Sequence, residues 1–156
     1  MTQEQKELLL KDICARLPYG VKAYVKNWSK LDQKYYENVY VVESAFPSLN
    51  EIHVQTKLCS LDVLLGYNDY VIKPYLFPLS SMTEEQKYDF YCRFIENDCD
   101  FDDFKDFYLD NGMWHKMLTS IDDIEEIIDW FHKKHIDYRG LIPMGLAIDA
   151  TDKNIY

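Results

Sequence analysis

The stretch VIKPYLFPLSSMTEEQ (Val71–Gln86) divides the chain into two parts with different apolar patterns. Before it, short apolar runs alternate with polar residues; after it, apolar residues have helical spacing as far as about residue 136. Pro74 and Pro78 lack a backbone N–H donor and fix φ, so residues 74–82 are predicted to be extended and to continue as neither element. We interpret residues 74–82 as a hinge between a β half and a helical half.

The residues before the hinge predict one helix followed by short strands. Thr2 and Gln5 have the spacing of a capping box, so a helix is predicted from about residue 3 to 16. From Val21 to Lys26, apolar and polar residues alternate with the period of a half-buried strand. Further strands are predicted at 39–42, 52–58 and 67–72, while residues 60–65 fit either a strand or a helical turn. Short strands joined by short loops indicate a small antiparallel β-meander or a barrel.

The residues after the hinge predict helices. Thr83 and Gln86 form a second capping box, which starts a helix that ends near residue 97. A shorter helix is predicted over residues 101–108. Ser120 begins the clearest helix, whose apolar face consists of Ile121, Ile124, Ile127, Ile128 and Phe131.

These patterns predict an α+β fold with an N-terminal helix, a small antiparallel meander or barrel, and a helical C-terminal half. A chain of 156 residues has the size of one ordinary domain. We therefore predict a single domain, 1–156, composed of a helix and β half (1–73), the hinge (74–82) and a helical half with a C-terminal tail (83–156). The tail is apolar over residues 141–150 and is predicted to lie back on the fold.

The net charge of −10 is concentrated in the helical half. Residues 83–137 hold sixteen acids against six bases, whereas residues 1–82 hold nine of each. A surface with this excess repels phosphate, which argues against a nucleic-acid partner.

Several features of the sequence predict a cytoplasmic protein. No apolar run reaches the roughly 18 residues that a membrane span needs. The first ten residues lack the basic and small-residue features of a signal peptide. The four cysteines are scattered without a C-x-x-C pair, which favours reduced thiols.

The pattern Asp98-x-Asp100-x-Asp102 resembles the start of a calcium-binding EF-hand loop. The loop would need glycine at its sixth position and glutamate at its twelfth, where this chain has Asp103 and Leu109. Asp98 and Asp100 are therefore interpreted as caps of the following helix, and no metal is predicted.

The candidate partner-binding residues are four aspartates and one tryptophan. Asp102, Asp103, Asp106 and Asp110 are predicted on or beside the exposed face of one helix, where they either are simply solvated or meet a basic partner. Trp130 lies about 120° from the apolar stripe of its own helix, so it either packs against a second layer or anchors a partner.

His132 and His135 lie at the edge of the same apolar stripe. A zinc site on one helix needs an outside ligand, and the distances of His53 and His115 are not fixed by the sequence. Packed, hydrogen-bonded histidines are the preferred interpretation.

None of the common catalytic motifs occurs in the sequence, among them G-x-S-x-G, H-E-x-x-H, the P-loop and G-x-G-x-x-G. No catalytic residue and no cofactor are therefore predicted.

Four segments together carry a resemblance to other proteins, and they are Pro74–Lys87, Asp137–Ile142, Gly145–Thr151 and Leu17–Lys22. They resemble short uncharacterised proteins encoded in gut-bacterial phages and mobile elements. That resemblance implies an accessory gene product working inside a bacterial cell, and it implies no activity and no site residue.

The first functional hypothesis is a non-enzymatic interaction protein that binds a basic protein surface through its acidic helical half. One alternative is a hydrolase without a recognised motif, with carboxylates between the two halves. Another is a phage structural or assembly component, which would form a stable high-order oligomer.

Overall fold

The computed structural model describes residues 1–49, 51–55, 60–65, 70–95, 100–105 and 121–156. The chain divides into two compact units, the first unit being Met1–Leu76 with Arg139–Tyr156 and the second unit Phe77–Tyr138. The helices are α1 (Gln3–Arg16), α2 (Glu84–Phe94), the single turn α3 (Phe101–Asp103) and α4 (Ile121–Lys133). The strands are β1 (Lys22–Ser29), β2 (Lys34–Phe46), β3 (Glu51–Gln55), β4 (Ser60–Leu64), β5 (Tyr70–Pro78), β6 (Ile136–Asp137) and β7 (Ile148–Asp149). These elements confirm the α+β class.

An antiparallel sheet in the order β4-β3-β2-β1-β5 forms the centre of the first unit. The first four strands are a meander, and the described strands follow this open order without closing into a barrel. Residues 60–64, which the sequence left ambiguous, form β4. β2 begins earlier than the predicted residue 39, because it continues the hairpin with β1 as far as the pair Ser29 and Lys34. Its first five residues, KYYEN, are all exposed and do not alternate between apolar and polar, so the strand pattern did not show there.

Helix α1 covers one face of this sheet. Thr2 accepts a hydrogen bond from the Gln5 amide and the Gln5 side chain accepts one from Thr2, as the capping box predicted. Leu9, Leu10 and Ile13 are buried and pack against inward-facing strand residues. Those strand residues include Ala23, Val25, Val42, Ile52, Val54 and Val63, and Val21 joins them from the position just before β1.

The predicted hinge is wrong in part, because its residues 74–78 belong to the regular strand β5. This strand runs from Tyr70 to Pro78 and so contains both prolines that were expected to prevent a regular strand. Pro74, opposite Ala23, is the last β5 residue paired with β1; Tyr75 and Leu76 then pair with β7. The missing N–H donors thus fall where the strand changes or ends its pairing, which is where proline is tolerated in a sheet.

The tail is packed against the first unit, as its apolar composition predicted. Leu141, Leu146 and Ala147 are buried in a cluster with Leu76. β7 adds a short parallel pairing to β5. The tail therefore supplies core residues to a unit whose other residues lie far earlier in the sequence.

The second unit has an aromatic core between its helices. Phe90 stacks on Phe104 and Phe131, with ring centroids 5.8 and 5.4 Å away. α2 begins with the predicted capping box of Thr83 and Gln86. The predicted helix over 101–108 is seen only as the turn α3, because most of its residues lie outside the described part of the chain.

Candidate functional site

Trp130 is a buried member of the aromatic core, with 6% of its surface exposed. Its ring meets Phe90 and Phe131 edge-on, with centroids 5.3 and 5.6 Å away. Its indole N–H donates to Asp89 Oδ2 at 2.9 Å. This geometry agrees with the second-layer alternative for Trp130 and leaves little of its ring for a partner.

Asp89 links α2 to α4 in the second unit. Its Oδ1 accepts a hydrogen bond from Arg93 Nε at 2.7 Å, while its Oδ2 accepts the bond from Trp130. The Arg93 guanidinium, followed by the Trp130 indole, holds the pKa of the Asp89 carboxyl below its ordinary value. The charge of Arg93 is therefore largely balanced by a carboxylate of its own helix.

A groove of about 650 Å³ lies beside this link. α2 contributes its last residues, Arg93 and Phe94, and α4 contributes residues one turn apart along one face. The α4 residues are Glu125, Glu126, Asp129, Trp130 and Lys133. The groove thus combines a phenyl ring with three carboxylates and two cationic side chains.

Glu125 and Glu126 are the exposed carboxylates of this groove. Neither forms an ion pair with any residue in the described part of the chain. Arg93 is balanced by Asp89, and Lys133 offsets only one of the three groove carboxylates, so the groove keeps an excess of negative charge next to the Phe94 ring. A lysine or arginine side chain fits such a surface, since its aliphatic stem packs on an apolar ring while its cation meets a carboxylate.

The predicted aspartates occupy a different place. Asp102 is exposed and its Oδ1 lies 3.4 Å from Lys105 Nζ, which also lies 3.7 Å from Glu84 Oε2. Asp103 is exposed without an ion pair among the described residues. Glu84 begins α2, whereas the groove is built on its last residues. Asp102 is therefore linked through Lys105 to the start of α2, whereas the groove carboxylates lie beside its last residues.

Asp100 has the capping role that the sequence assigned to it. Its Oδ1 accepts from the Asp102 amide at 2.9 Å, at the start of α3. Asp98, Asp106 and Asp110 lie outside the described residues, so the predictions for them are not addressed by this structure.

Sequence reasoning did not identify Glu125, Glu126 and Asp129 as a site. In the sequence, the helix dipole is a sufficient reason for Glu125 and Glu126, because acids are favoured near the start of a helix. The available signal was their spacing: residues 125, 126, 129 and 133 share a helix face away from Ile127 and Phe131. What the sequence could not provide was the opposing side chain, Phe94.

His132 and His135 are buried, as in the packed interpretation. The Nε2 atom of His132 lies 3.0 Å from the Tyr138 hydroxyl, and the two rings are 5.4 Å apart. In the described part of the chain, no group of three or more histidine, cysteine or acidic side chains is placed to hold a metal ion.

Comparisons with protein-family models, with curated proteins and with solved structures give no match. Among the described helices, none combines the length and the apolar character needed to cross a membrane.

Proposed function

We propose that this chain is a non-enzymatic accessory protein that binds a basic segment of another protein through the groove between α2 and α4. The observation that supports the proposal is the pair Glu125 and Glu126, which are exposed beside Phe94 and form no ion pair with any described residue. The partner would place a lysine or arginine at this pair and an apolar group on the phenyl ring.

Electrostatic recognition of this kind depends on salt. Exposed ion pairs contribute roughly 0–1 kcal/mol each, so the carboxylates mainly provide specificity and a faster association rate. Burial of the Phe94 ring contributes an apolar component that salt does not screen. Binding should therefore weaken at high salt without disappearing.

The biological setting follows from the resemblance to phage and mobile-element proteins. In that setting the partner would be a nucleic-acid-binding surface of a host defence or replication factor. Such surfaces are rich in lysine and arginine, and an acidic protein competes for them with the phosphate backbone.

A capture experiment with matched variants tests the proposal. The tagged chain is incubated with a lysate of a bacterial host at about 50 and 500 mM salt, within the range over which ionic screening becomes strong. E125Q/E126Q removes the groove charge with little change in shape and should capture less of the partner than the wild type at low salt. E85Q/D103N removes the same charge from exposed positions outside the groove and should retain it.

Two results would contradict the groove. One is equal loss of the partner in both double variants, which would show that net charge alone is responsible. The other is a partner held equally by the wild type and E125Q/E126Q at both salt concentrations.

A further inference from the structure

The sheet of the first unit has an outer face, opposite α1, on which apolar side chains are exposed. Val41 of β2 is 41% exposed, Val71 of β5 is 40% exposed and Tyr35 of β2 is 52% exposed. Strand alternation and the pairing register place all three on the same face as Trp28 and Tyr24. A β-sheet of a globular protein usually buries apolar residues on one face only, so this second apolar set requires an explanation.

Charges on this face are separated by sign. Lys22, Lys26 and Lys73 lie on β1 and β5. The acidic side chains of the opposite corner belong to β2, β3 and β4, and they are Glu43, Glu51 and Asp62. Glu37 adds one acid to the basic side and forms an ion pair with Lys26 at 2.6 Å. Because Glu37 balances Lys26, the basic corner of the face consists of Lys22 and Lys73, opposite the acidic corner.

The acidic corner is organised around His53. Its Nδ1 contacts Asp62 Oδ1, and its Nε2 lies 3.4 Å from Glu43 Oε2. Glu43 reaches this position at an irregularity of β2, where the register with β3 shifts between Val42 and Ser44. One imidazole thus fixes two carboxylates on neighbouring strands at this corner.

Val41 lies between the two corners. In the sheet it pairs with Lys22 of β1 on one side and with Gln55 of β3 on the other. Val41 thus stands between a basic corner and an acidic corner, and this arrangement is complementary to itself.

We propose that the outer face of this sheet binds the same face of a second copy of the chain, through a two-fold axis that passes near Val41. A two-fold contact requires a patch that complements itself. An axis lying in the interface, perpendicular to the line that joins the two corners, superposes the basic corner of each copy on the acidic corner of the other. The valines of the two copies then meet at the centre.

The size of the face sets the strength of this contact. Five strands about 4.8 Å apart, each contributing about five residues of roughly 3.3 Å, give a flat area on the order of 400 Å² per copy. Standard stable interfaces bury about 800 Å² per partner. The dimer is therefore concentration-dependent, and it weakens with salt because two charge contacts hold it.

A single-stranded nucleic acid is the other occupant that a surface with aromatic and basic side chains could attract. The acidic corner disfavours it, since Glu43, Glu51 and Asp62 would repel phosphate. Lys26 is also already neutralised by Glu37. The second copy uses both corners, and the nucleic acid would use one.

Sedimentation equilibrium over a range of concentrations tests the dimer. The wild-type mass should rise from 18.6 kDa toward twice that value as concentration increases, and the midpoint should shift to higher concentration in high salt. V41K places two lysines together at the axis and should weaken association by about tenfold or more. L31K adds the same charge at a side chain that is 96% exposed between β1 and β2, and it should leave association unchanged.

A charge exchange distinguishes specific pairing from a general effect of charge. K73E and D62K should each weaken association, because each brings like charges together across the interface. The double variant K73E/D62K should recover most of it. E125Q/E126Q, in the other unit, should dimerise as the wild type does, so failure of the groove proposal would be seen separately.

A mass of 18.6 kDa at every concentration would overturn the proposal. V41K associating as strongly as the wild type, or K73E/D62K no better than the single variants, would overturn it as well. So would a monomer that binds a labelled single-stranded oligonucleotide and loses that binding in K73E.

Discussion

At the scale of single residues, Tyr156 joins the tail to the sheet through its hydroxyl group. Its hydroxyl donates to the Tyr75 carbonyl at 2.8 Å and accepts from the Lys22 amide at 3.1 Å. The Lys22 ammonium contacts the Ile155 carbonyl and lies 5.5 Å from the centre of the Tyr156 ring. Although 42% of the residue is exposed, its hydroxyl is enclosed between β1 and β5.

Because the hydroxyl is enclosed, the stability of the fold should fall at alkaline pH. Burial, which disfavours the phenolate, raises the pKa of Tyr156 to about 12 from an ordinary value of 10.0. The folded pKa is the higher one, so the contribution is complete below pH 10 and is lost as pH rises from 10 toward 12. Y156F should lower the unfolding free energy by about 1 kcal/mol at neutral pH, which is the usual net value of a hydrogen bond.

Urea unfolding at pH 9 and pH 11 measures this contribution. The difference in unfolding free energy between the wild type and Y156F should narrow at the higher pH, since only the wild type has this hydroxyl to ionise. Y35F is the control, because Tyr35 is exposed on the sheet and its variant should follow the wild type at both values. A difference that stays constant would show that the hydroxyl does not titrate in this range.

Residue identity predicted contacts best where the partner was close in sequence. The bond from Asp100 to Asp102 spans two residues, and sequence spacing was sufficient to predict a cap there. The bond from Trp130 to Asp89 spans 41 residues, so helical spacing showed only that Trp130 lies off the main stripe. The groove was missed for the same reason, since Phe94 and Glu125 belong to different helices.

At the scale of elements, the helix starts were predicted closely because capping is local chemistry. In α2, Thr83 Oγ1 accepts from the Gln86 amide at 3.2 Å and Gln86 Oε1 accepts from the Thr83 amide at 2.9 Å. In β5, local chemistry was misleading. The absent donors of Pro74 and Pro78 indicated a break, whereas the strand continues by taking new partners.

The α2 cap can be tested with two substitutions at one position. T83A removes the side-chain acceptor and should lower the unfolding free energy by about 1 kcal/mol. T83S keeps the hydroxyl and should be close to the wild type. Thermal unfolding followed by circular dichroism gives both values, and equal losses in T83A and T83S would assign the effect to packing of the methyl group instead.

At the scale of the whole molecule, the division into units departs from the sequence order. The predicted boundary placed residues 83–156 together as one half. In the structure, Arg139–Tyr156 groups with Met1–Leu76, because Leu141 and Leu146 pack with Leu76 and β7 pairs with β5. The apolar composition of the tail predicted burial, but no local pattern could identify the strand it meets.

Two alanine substitutions in the tail test whether the tail belongs to the core. Leu141 is fully buried, so L141A should cost about 2–5 kcal/mol through lost burial and the cavity left behind. Met144 is 49% exposed, so M144A should cost less than about 1 kcal/mol. Urea denaturation of both variants compares them; similar small losses would mean that the tail is not part of the core in solution.

The grouping of distant segments has a consequence for biosynthesis. A chain emerging from the ribosome presents α1 and β1–β4 first, yet the cluster around Leu76 stays incomplete until residues 141–147 have been translated. Phe77–Tyr138, by contrast, is one continuous segment and can assemble as soon as it leaves the exit tunnel. The first unit should accordingly finish folding last, although most of it is translated first. A stalled product that lacks the last residues would expose apolar surface to chaperones.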